Sequence, residues 1–433
     1  MLTERGPAQA CVARLRCAGF GVRAAAPWHD RAVFTSGSPR PMWPCKQLDL
    51  SWRDWRFALG CCLAPSPWEE SAERVERLWP SGQGALACLN VRSAFDLYLR
   101  VRRWPSGDEI VFSALTVPDM PAIARRHGLR VVPIDVDAET GAWRADDLER
   151  VVGPKTRAVV LTHPFGARLD VGPAIALARA HGIVVIEDCA QAYRGPGWTG
   201  HPDADLALFS FGPMKTATAL GGAVAHVRDP ETRERMHRQR AREPVQPTAA
   251  FLRRVLLAGA LKCAGNPRIY GALTAVLDAV GADREHWIHR LTRNTRPGTA
   301  SLRLRPCAAL LGLLERRLSE GDAPVTRRTA PGRALFEALG PGVCLPTRDA
   351  EEHAYWMVPV LVPDPEACKQ VLRRAGFDAM SARLCAVPGE GVDVPGARRL
   401  AKAVHLPFDP DMPLDELVRL GESMKRFDTR ARP

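Results

Sequence analysis

The chain alternates between two hydrophobic patterns along much of its length. Some runs are apolar at nearly every position, which predicts buried strands, and the stretches between them place apolar residues three and four positions apart, which predicts helices. The predicted strands are residues 108–114, 128–136, 156–163, 182–188 and 206–211. Fully apolar strands that alternate with helices are typical of a parallel sheet covered on both faces. The pattern therefore predicts an α/β fold.

Residues 248–281 carry a more uniformly apolar pattern. A helix is predicted to begin with Thr248 as its N-cap, and Asn266-Pro267 separates it from a second apolar helix at 269–281. Neither half reaches the roughly 18–20 residues that a membrane span needs. Two interpretations stay open. The helices are buried against the subunit or a dimer partner, or they form a hairpin that rests on a membrane surface or covers a lipid-like acceptor.

The C-terminal part of the chain predicts a smaller α+β unit. Residues 304–318 predict a helix, 355–362 a strand, and 364–377 a helix that opens at Pro365 and stops at Gly376. The sequence predicts three parts. Residues 1–50 are a poorly defined N-terminal extension, residues 51–300 are a large domain that contains the apolar insert, and residues 301–433 are an interdomain helix with a small domain.

Composition limits the class of protein. The 433 residues are 46% hydrophobic and 25% charged, which is typical of a soluble globular protein. The net charge of +12 favours anionic ligands, but residues 1–40 supply +4 of it, as six arginines minus two acids. No basic-aromatic stripe supports nucleic-acid binding. Residues 1–40 lack the apolar stretch of a secretory signal, so we interpret them as a dispensable extension or as sequence upstream of a true start at Met42.

The twelve cysteines are scattered, and none forms a Cys-x-x-Cys motif. This spacing predicts reduced thiols in a cytoplasmic protein rather than a disulfide scaffold. No zinc-ligand spacing occurs in the sequence, so no metal site is predicted.

Candidate chemistry lies where the predicted strands end. Ligands of parallel sheets collect beyond the carboxyl ends of the strands, and Asp188, His163 and Ser210 fall at such ends. Lys215 follows in a turn that has little other charge. The turn does not match a nucleotide-binding P-loop, because that motif needs glycine immediately before the lysine and this chain has Met214.

A lone lysine near a strand-end carboxylate suits pyridoxal phosphate. Lysine offers an amine that condenses reversibly with the cofactor aldehyde, and an acid against the pyridine nitrogen keeps that nitrogen protonated. Lys215 and Asp188 are the candidates for these two roles. The cofactor phosphate needs a helix N-terminus and hydroxyl donors, which a predicted helix opening near Ser93 and the hydroxyl of Ser210 provide.

The segments "EDCAQAYRG" and "ADLALFSFGPMKTATALGGA" resemble the DegT/StrS-type aminotransferase family. Its members are fold type I pyridoxal-phosphate enzymes that mostly aminate keto sugars on nucleotides. The lysine follows the aspartate by 27 positions, as that family's pattern expects, and the resemblance extends over residues 86–427. It implies a large domain with a mainly parallel, seven-stranded type of sheet, a smaller C-terminal α+β domain, and a homodimer whose subunits both line each site.

The resemblance also assigns roles to individual residues. Lys215 is the lysine that binds the cofactor covalently, and Asp188 is the partner of its ring nitrogen. Gln191 contacts the ring's phenolic oxygen, Ser210 donates to the phosphate, and His163 packs beneath the ring. For each residue except Lys215 and Asp188, an ordinary structural role stays open.

Two departures from the family pattern fall in the predicted site, at the phosphate turn and at Val117. Asn90-Val91-Arg92-Ser93 replaces a Ser-Gly-Thr-like phosphate turn, and Arg92 either compensates by binding phosphate or is a surface arginine. Val117 stands where relatives stack an aromatic residue or histidine on the ring. In a loose alignment, Ser301 and Arg303 fall in the turn that relatives extend to the partner subunit's phosphate site.

The resulting prediction is an aminotransferase that moves an amino group from an amino acid, glutamate by resemblance, to a carbonyl acceptor. A keto sugar and a lipid-like or secondary-metabolite intermediate both stay open as acceptors. Relatives that carry histidine in place of the lysine perform dehydration, so Lys215 argues against that reaction. The alternative is a non-catalytic relative that acts as a regulatory or partner protein.

Overall fold

A computed structural model describes residues 41–79, 84–281, 299–381, 384–389 and 392–427. Within these ranges the strands are β1 (Ala85–Cys88), β2 (Glu109–Ser113), β3 (Leu115–Thr116), β4 (Arg130–Ile134), β5 (Thr156–Thr162), β6 (Ala167–Arg168), β7 (Val184–Asp188), β8 (Leu206–Ser210), β9 (Ala223–Val227), β10 (Glu352–His353), β11 (Val358–Val360), β12 (Met380–Ser381), β13 (Cys385–Ala386) and β14 (Val404–Leu406).

The helices of the same ranges are α1 (Trp52–Leu63), α2 (Trp68–Arg77), α3 (Val91–Arg102), α4 (Asp119–Arg126), α5 (Ala145–Val151), α6 (Gly172–Ala180), α7 (Pro230–Ala241), α8 (Thr248–Ala264), α9 (Pro267–Ala279), α10 (Thr299–Leu302), α11 (Ala308–Leu318), α12 (Ala323–Leu339), α13 (Pro365–Arg374), α14 (Pro395–Leu400) and α15 (Leu414–Met424), followed by a 3-10 turn (Lys425–Phe427).

The main sheet has the strand order β1-β9-β8-β7-β5-β2-β4, which is seven strands in the part of the chain described. Neighbouring strands from β8 to β4 are parallel, and β9 runs antiparallel to both β8 and β1. The five strands predicted from the sequence are all present in it. The prediction of a mainly parallel α/β sheet of the fold type I kind is confirmed.

The sheet is buried on both faces, and each face packs against a separate layer of helices. One face meets α3, α4 and α7 through residues such as Phe95, Phe112 and Met236. On the other side, Phe209 and Phe211 pack into a cluster with α8 and α11. This double cover explains why β5 and β7 are buried at almost every position and apolar at their centres.

A second sheet, β11-β14-β12, lies in the C-terminal part of the chain and is antiparallel. We call it the small sheet. Its residues share an apolar cluster with α12, α13 and α15, which includes Leu335, Phe377 and Leu420. The predicted helix at 304–318 begins at Ala308, and the predicted strand at 355–362 is confined to Val358–Val360. The division into domains stays a prediction.

The apolar insert folds as the two predicted helices, α8 and α9, which we call the hairpin. The predicted cap is wrong, because Pro247 occupies the N-cap position and Thr248 begins the helix without a side-chain cap. On α8, Phe251, Val255 and Ala258 are buried in the cluster beside the main sheet. Burial within the subunit is therefore confirmed for one face of the hairpin.

Gly271 and Thr274 are the buried residues of α9, and the outer face of this helix is exposed. Val276 and Val280 are 62% and 70% exposed. No described helix combines the length and apolarity needed to cross a membrane. The membrane-surface interpretation of this outer face stays a prediction, which co-sedimentation with anionic liposomes would test.

Residues 41–50, which we call the N-terminal segment, are integrated into the body of the protein. The Met42 amide donates to the Pro267 carbonyl in the hairpin (2.8 Å), and the Trp43 amide donates to the Gly376 carbonyl beside the small sheet (2.8 Å). The predicted extension at residues 1–50 is therefore too long, because residues 41–50 are part of the folded body of the protein. Residues 1–40 lie outside the described part of the chain.

Candidate active site

The predicted strand-end residues lie at one edge of the main sheet. Asp188 ends β7, Ser210 ends β8, and His163 follows directly after β5. These three strands are parallel neighbours, and Thr162 pairs in register with Asp188. Parallel pairing therefore brings the three side chains to the same carboxyl edge, where ligands of such sheets bind.

The Asp188 carboxylate is buried at this edge with little hydrogen bonding. The Ala190 amide donates to its Oδ1 at 3.0 Å, and no other partner of this carboxylate is found among the described residues. Burial raises the pKa of Asp188, against the opposing effects of the Ala190 hydrogen bond and the charges of Lys215 and His163. A desolvated carboxylate of this kind is stabilised by a cationic partner.

Lys215 sits in a turn between β8 and β9, residues 211–222, that we call the lysine turn. Its amide donates to the Gly212 carbonyl (3.0 Å), and the amides of Ala219 and Gly221 both donate to the Phe211 carbonyl (3.0 Å each). Ala217 has a positive φ of 54°. Its amide donates to Asp49 Oδ2 at 2.7 Å, so the N-terminal segment fixes this strained backbone.

The Lys215 side chain has a low-dielectric setting. Its Nζ lies 3.9 Å from the ring centroid of Trp356, and the Trp356 indole donates to the Met214 carbonyl at 2.6 Å. Desolvation lowers the pKa of Lys215 to about 7, with the Asp188 carboxylate opposing the shift and Lys46 adding to it. At neutral pH a substantial fraction of the amine is therefore unprotonated and nucleophilic.

Two hydroxyls near the predicted phosphate turn are buried without hydrogen bonds. These are Ser93 Oγ and Thr116 Oγ1. The Ser93 amide donates to Asn90 Oδ1 (3.0 Å), so Asn90 is the N-cap of α3 and the helix begins at Val91, two residues before the predicted opening. Orphaned buried hydroxyls indicate a missing polar partner, and an anion such as phosphate would satisfy them.

A cavity of about 820 Å³ adjoins the lysine turn. Lys215 and Trp356 lie on its wall, together with the N-terminal segment, the hairpin and residues next to the small sheet. The geometry therefore offers a desolvated amine, a buried carboxylate and space for an organic ligand at one edge of the sheet.

Comparison with known proteins decides the family. The model of the DegT/DnrJ/EryC1/StrS aminotransferase family matches residues 80–385, which is well over half of the chain. The chain belongs to this aminotransferase family. The expected resemblance to DegT/StrS-type proteins is thereby confirmed.

Individual relatives match at lower coverage. L-glutamine:2-deoxy-scyllo-inosose aminotransferase of Streptomyces kanamyceticus is 30% identical over 224 residues, covering 49% of this chain and 52% of the relative. A pleiotropic regulatory protein of Geobacillus stearothermophilus is 30% identical over 192 residues, covering 43% and 50%. The chain thus spans about half the length of these curated relatives.

A solved structure shares the fold over most of the chain. The E. coli GDP-4-keto-6-deoxy-D-mannose-3-dehydratase with bound hydrated PLP has a TM-score of 0.66 at 13% identity, covering 89% of this chain and all of the dehydratase chain. At this identity the likeness shows the fold alone.

Within this family framework, His163 has a different environment from Lys215 and Asp188. Its Nδ1 accepts from the Leu169 amide and its Nε2 lies 3.0 Å from Glu187 Oε1, while the ring is 1% exposed. Both ring nitrogens are thus used by the protein, which leaves the ring to pack against its neighbours. Cys189 lies near this pair, but the His163 ring has no lone pair left for a metal.

Three other predicted residues have alternative partners. Gln191 Oε1 accepts from the Phe165 amide (3.0 Å), so its amide nitrogen remains for a ligand. The Arg92 guanidinium donates to Asp119 Oδ2 (2.7 Å), which favours the surface-arginine interpretation over a phosphate contact. Arg303 Nε lies 3.3 Å from Asp96 Oδ2 of the same subunit. The predicted roles of these residues toward a cofactor or a partner subunit stay predictions.

Ser210 and Val117 are the remaining predicted site residues. Ser210 Oγ and Lys215 Cγ both lie within 4 Å of the site of a Cβ on Gly212, which puts the hydroxyl beside the lysine. Val117 is 37% exposed directly after β3, so its side chain offers an aliphatic surface rather than an aromatic one.

Sequence reasoning missed Trp356, Asp49 and Arg328. Trp356 falls inside the strand predicted at 355–362, but in the structure it precedes β11. Its backbone nitrogen lies close to Gly166, where a Cβ on the glycine would be 2.8 Å from that nitrogen. Arg328 donates to the Tyr355 carbonyl from Nε (3.1 Å) and Nη2 (2.9 Å), which holds the tryptophan's neighbour in place. No local pattern signals these contacts, because each joins segments far apart in the chain.

Proposed function

We propose that this protein is a pyridoxal-phosphate-dependent aminotransferase that moves an amino group from an amino acid to a carbonyl acceptor. The observation that carries the proposal is geometric: the buried Asp188 ends β7 at the carboxyl edge of the sheet, and Lys215 lies on the wall of the cavity beside the turn that follows β8. Family membership supports it, as do the aminotransferase name of one relative and the bound PLP of one structural neighbour.

The residues present fit the cofactor. The buried Asp188 carboxylate is suited to hold a proton on the ring nitrogen, because burial leaves it in need of a positive partner. The unpartnered hydroxyls of Ser93 and Thr116 are suited to the phosphate, with Ser210 beside the lysine as a further donor. When bound, the cofactor would supply an electron sink for the carbanion that forms at the donor's α-carbon.

The chain's own contribution to the reaction centres on one amine. Lys215 Nζ is suited to take the proton from the donor's α-carbon and later to return one to the product carbon, because its lowered pKa lies near neutral pH. Desolvation is the largest cause of the lowered pKa of Lys215, and the Trp356 ring covers one side of Nζ at 3.9 Å.

The donor and the oligomeric state belong to the same proposal. We infer glutamate as donor and a homodimer as the functional unit, both from the resemblance to the family. The acceptor is a carbonyl compound, with keto sugars supported by the inosose substrate in one relative's name. Sedimentation would test the dimer, and a monomer at assay concentration would contradict it.

An absorbance experiment tests the proposed function directly. Protein purified with pyridoxal phosphate should show a yellow chromophore that borohydride bleaches, and glutamate should shift the band without an acceptor. The alternative is a non-catalytic regulatory protein, which the similarity to a pleiotropic regulatory protein supports. That alternative predicts no shift of the absorbance band with any amino acid. A colourless protein that takes up no cofactor would refute the proposal.

The pKa of Lys215 gives a second prediction, which does not depend on turnover. Competitive labelling with acetic anhydride should titrate the Lys215 amine with a midpoint of about 7, well below the value of about 10.4 for an ordinary lysine. Because the Asp188 charge opposes the shift, an Asp188→Asn variant should move the midpoint lower still. A Lys215 midpoint above 9 in the apoprotein would contradict the desolvated setting.

A further inference from the structure

The wall of the cavity beside Lys215 is divided between a polar end and an apolar end. Near the lysine turn, Arg327 and Arg328 contribute guanidinium groups that the protein already uses. Arg327 Nη2 donates to Asp49 Oδ1 (2.6 Å), and Arg328 binds the Tyr355 carbonyl. These two guanidinium groups are therefore engaged before any ligand arrives, and Lys46, Asp409 and Asp411 are further charged residues on the wall.

The hairpin forms the apolar end. Leu261 at the end of α8 and Leu273, Val276 and Leu277 on α9 all line the cavity. The hairpin also contributes four polar side chains to the wall, each of which has a partner within the protein: Lys262, Asn266, Tyr270 and Thr274. Lys262 Nζ lies 5.7 Å from the ring centroid of Trp52, and Asn266 Oδ1 accepts from the Arg268 amide (3.0 Å). The Tyr270 hydroxyl donates to Asp378 Oδ2 (2.5 Å), and the Thr274 hydroxyl donates to the Gly271 carbonyl (3.0 Å). The aliphatic positions on α9 thus form a wall that offers few polar groups to a sugar or a nucleotide.

The wall opposite the hairpin is also apolar in part. Trp43 and Leu48 of the N-terminal segment line it, and Met380 and Phe408 join them from the small sheet and its flank. The bonds from Met42 to Pro267 and from Trp43 to Gly376 hold this segment between the hairpin and the small sheet. The cavity is therefore bordered by three parts of the chain that are joined by hydrogen bonds.

The size of the cavity exceeds the needs of an amino-acid donor. Ligand cavities for drug-sized molecules span about 300–1,000 Å³. At about 820 Å³ this cavity lies toward the upper end of that range. Since Lys215 lies on its wall, a ligand that fills it can place one end at the reactive amine and extend the rest along the hairpin.

The apolar surface continues from the cavity to the outside. Leu273 and Val276 line the cavity and are also 47% and 62% exposed. Ile269 and Val280 extend the same apolar surface along α9. The charged residues of α9 are Arg268 and Asp278, and neither lines the cavity. An aliphatic chain could therefore enter the cavity along the apolar surface of α9.

We propose that the carbonyl acceptor of this protein carries an extended aliphatic chain, which binds in the cavity between the hairpin and the N-terminal segment with its carbonyl directed to Lys215. This inference rests on the proposed aminotransferase function and names the substrate class of the same site. The hairpin is then a substrate-binding element, and its apolar sequence is selected by the ligand.

The first test measures binding without any chemistry. 1-Hexanol, 1-octanol and 1-decanol are titrated calorimetrically into the purified holoprotein. Each buried methylene should strengthen binding about fourfold, so decanol, with four more methylenes, should bind roughly 200-fold more tightly than hexanol. Affinity that does not rise with chain length would overturn the proposal.

Variants of the hairpin locate the binding. Leu277→Trp fills the cavity and should remove most of the chain-length dependence, whereas Ala275→Trp, on an exposed position of the same helix that does not line the cavity, should leave it intact. Leu273→Asp is a second variant, at a cavity-lining position that is 47% exposed, so the fold should be retained. This variant should weaken the binding of decanol by at least tenfold. Equal loss in the Ala275 control would overturn the assignment to this cavity.

A third arm separates this inference from the proposed function. The glutamate-induced absorbance shift is measured first in the parent protein, and it should survive in the Ala275→Trp control, whose position does not line the cavity. After that shift, decanal should restore the original band of the parent protein much faster than propanal does. Alkanol binding without any glutamate shift would overturn the identification of the ligand as an acceptor. A normal glutamate shift with no preference for decanal would overturn the chain-length inference while leaving the aminotransferase intact.

Discussion

A Lys215→Ala variant is expected to lose transamination by on the order of 10⁴-fold or more while keeping its fold. The amine is the group that we propose both for cofactor attachment and for proton transfer, and general acid–base catalysis alone contributes about 10²–10⁴-fold. The fold should survive because the hydrogen bonds of the lysine turn come from backbone atoms, from Asp49 and from Thr218, none of which involves the lysine side chain. Turnover and far-ultraviolet circular dichroism are the two measurements.

Lys215→Arg is the matched control for charge. Arginine keeps a cation near Trp356, but its guanidinium stays protonated and cannot serve as a nucleophile at neutral pH. We expect this variant to be as inactive as the alanine variant. An arginine variant with parental turnover would show that the position supplies only charge, and the assignment of Lys215 would be wrong.

An Asp188→Asn variant is expected to bind cofactor and yet to lose about 10²–10³-fold in rate, the range seen when one preorganised electrostatic contact is removed. The amide oxygen can still accept the hydrogen bond from Ala190, so the local structure should be retained. What disappears is the buried negative charge that we propose holds the ring-nitrogen proton.

The readout for Asp188 is the split between binding and rate. The cofactor absorbance band should remain with a changed pH dependence, while kcat for the glutamate half-reaction falls. Unchanged kcat in the asparagine variant would remove Asp188 from the mechanism. Loss of the band together with loss of thermal stability would instead assign the residue a structural role.

The parts of the fold that depend on local pattern could be read from the sequence. β5 and β7 have apolar centres, and His163 and Asp188 lie just after and at their respective ends, so both the strands and the edge that carries the site followed from the sequence pattern. β1 and β9 were missed. β1 has four residues, and β9 pairs antiparallel at the far side of the sheet, outside the strand-helix alternation.

The parts of the site that depend on distant contacts could not be read in this way. Lys215 was found because of its spacing from Asp188, but its neighbour Trp356 is 141 positions further along and reaches it through the close approach to Gly166. Arg92 was a candidate for phosphate because of its place in the turn, and its ion pair with Asp119 depends on how α4 packs. Sequence pattern gives the edge of the sheet, while tertiary packing selects the partners of each side chain there.

The carboxylate of Asp49 has a consequence for how this protein can change over evolution. One oxygen accepts from the Ala217 amide in the lysine turn (2.7 Å), and the other accepts from Arg327 on α12, which lines the ligand cavity (2.6 Å). A mutation at Asp49 therefore removes, in a single step, a hydrogen bond to the backbone of the lysine turn and one to the wall that we propose binds the substrate. Substrate preference and amine geometry are inherited together in this chain, and a lineage that acquires a new acceptor must either keep this aspartate or replace both of its hydrogen bonds at once.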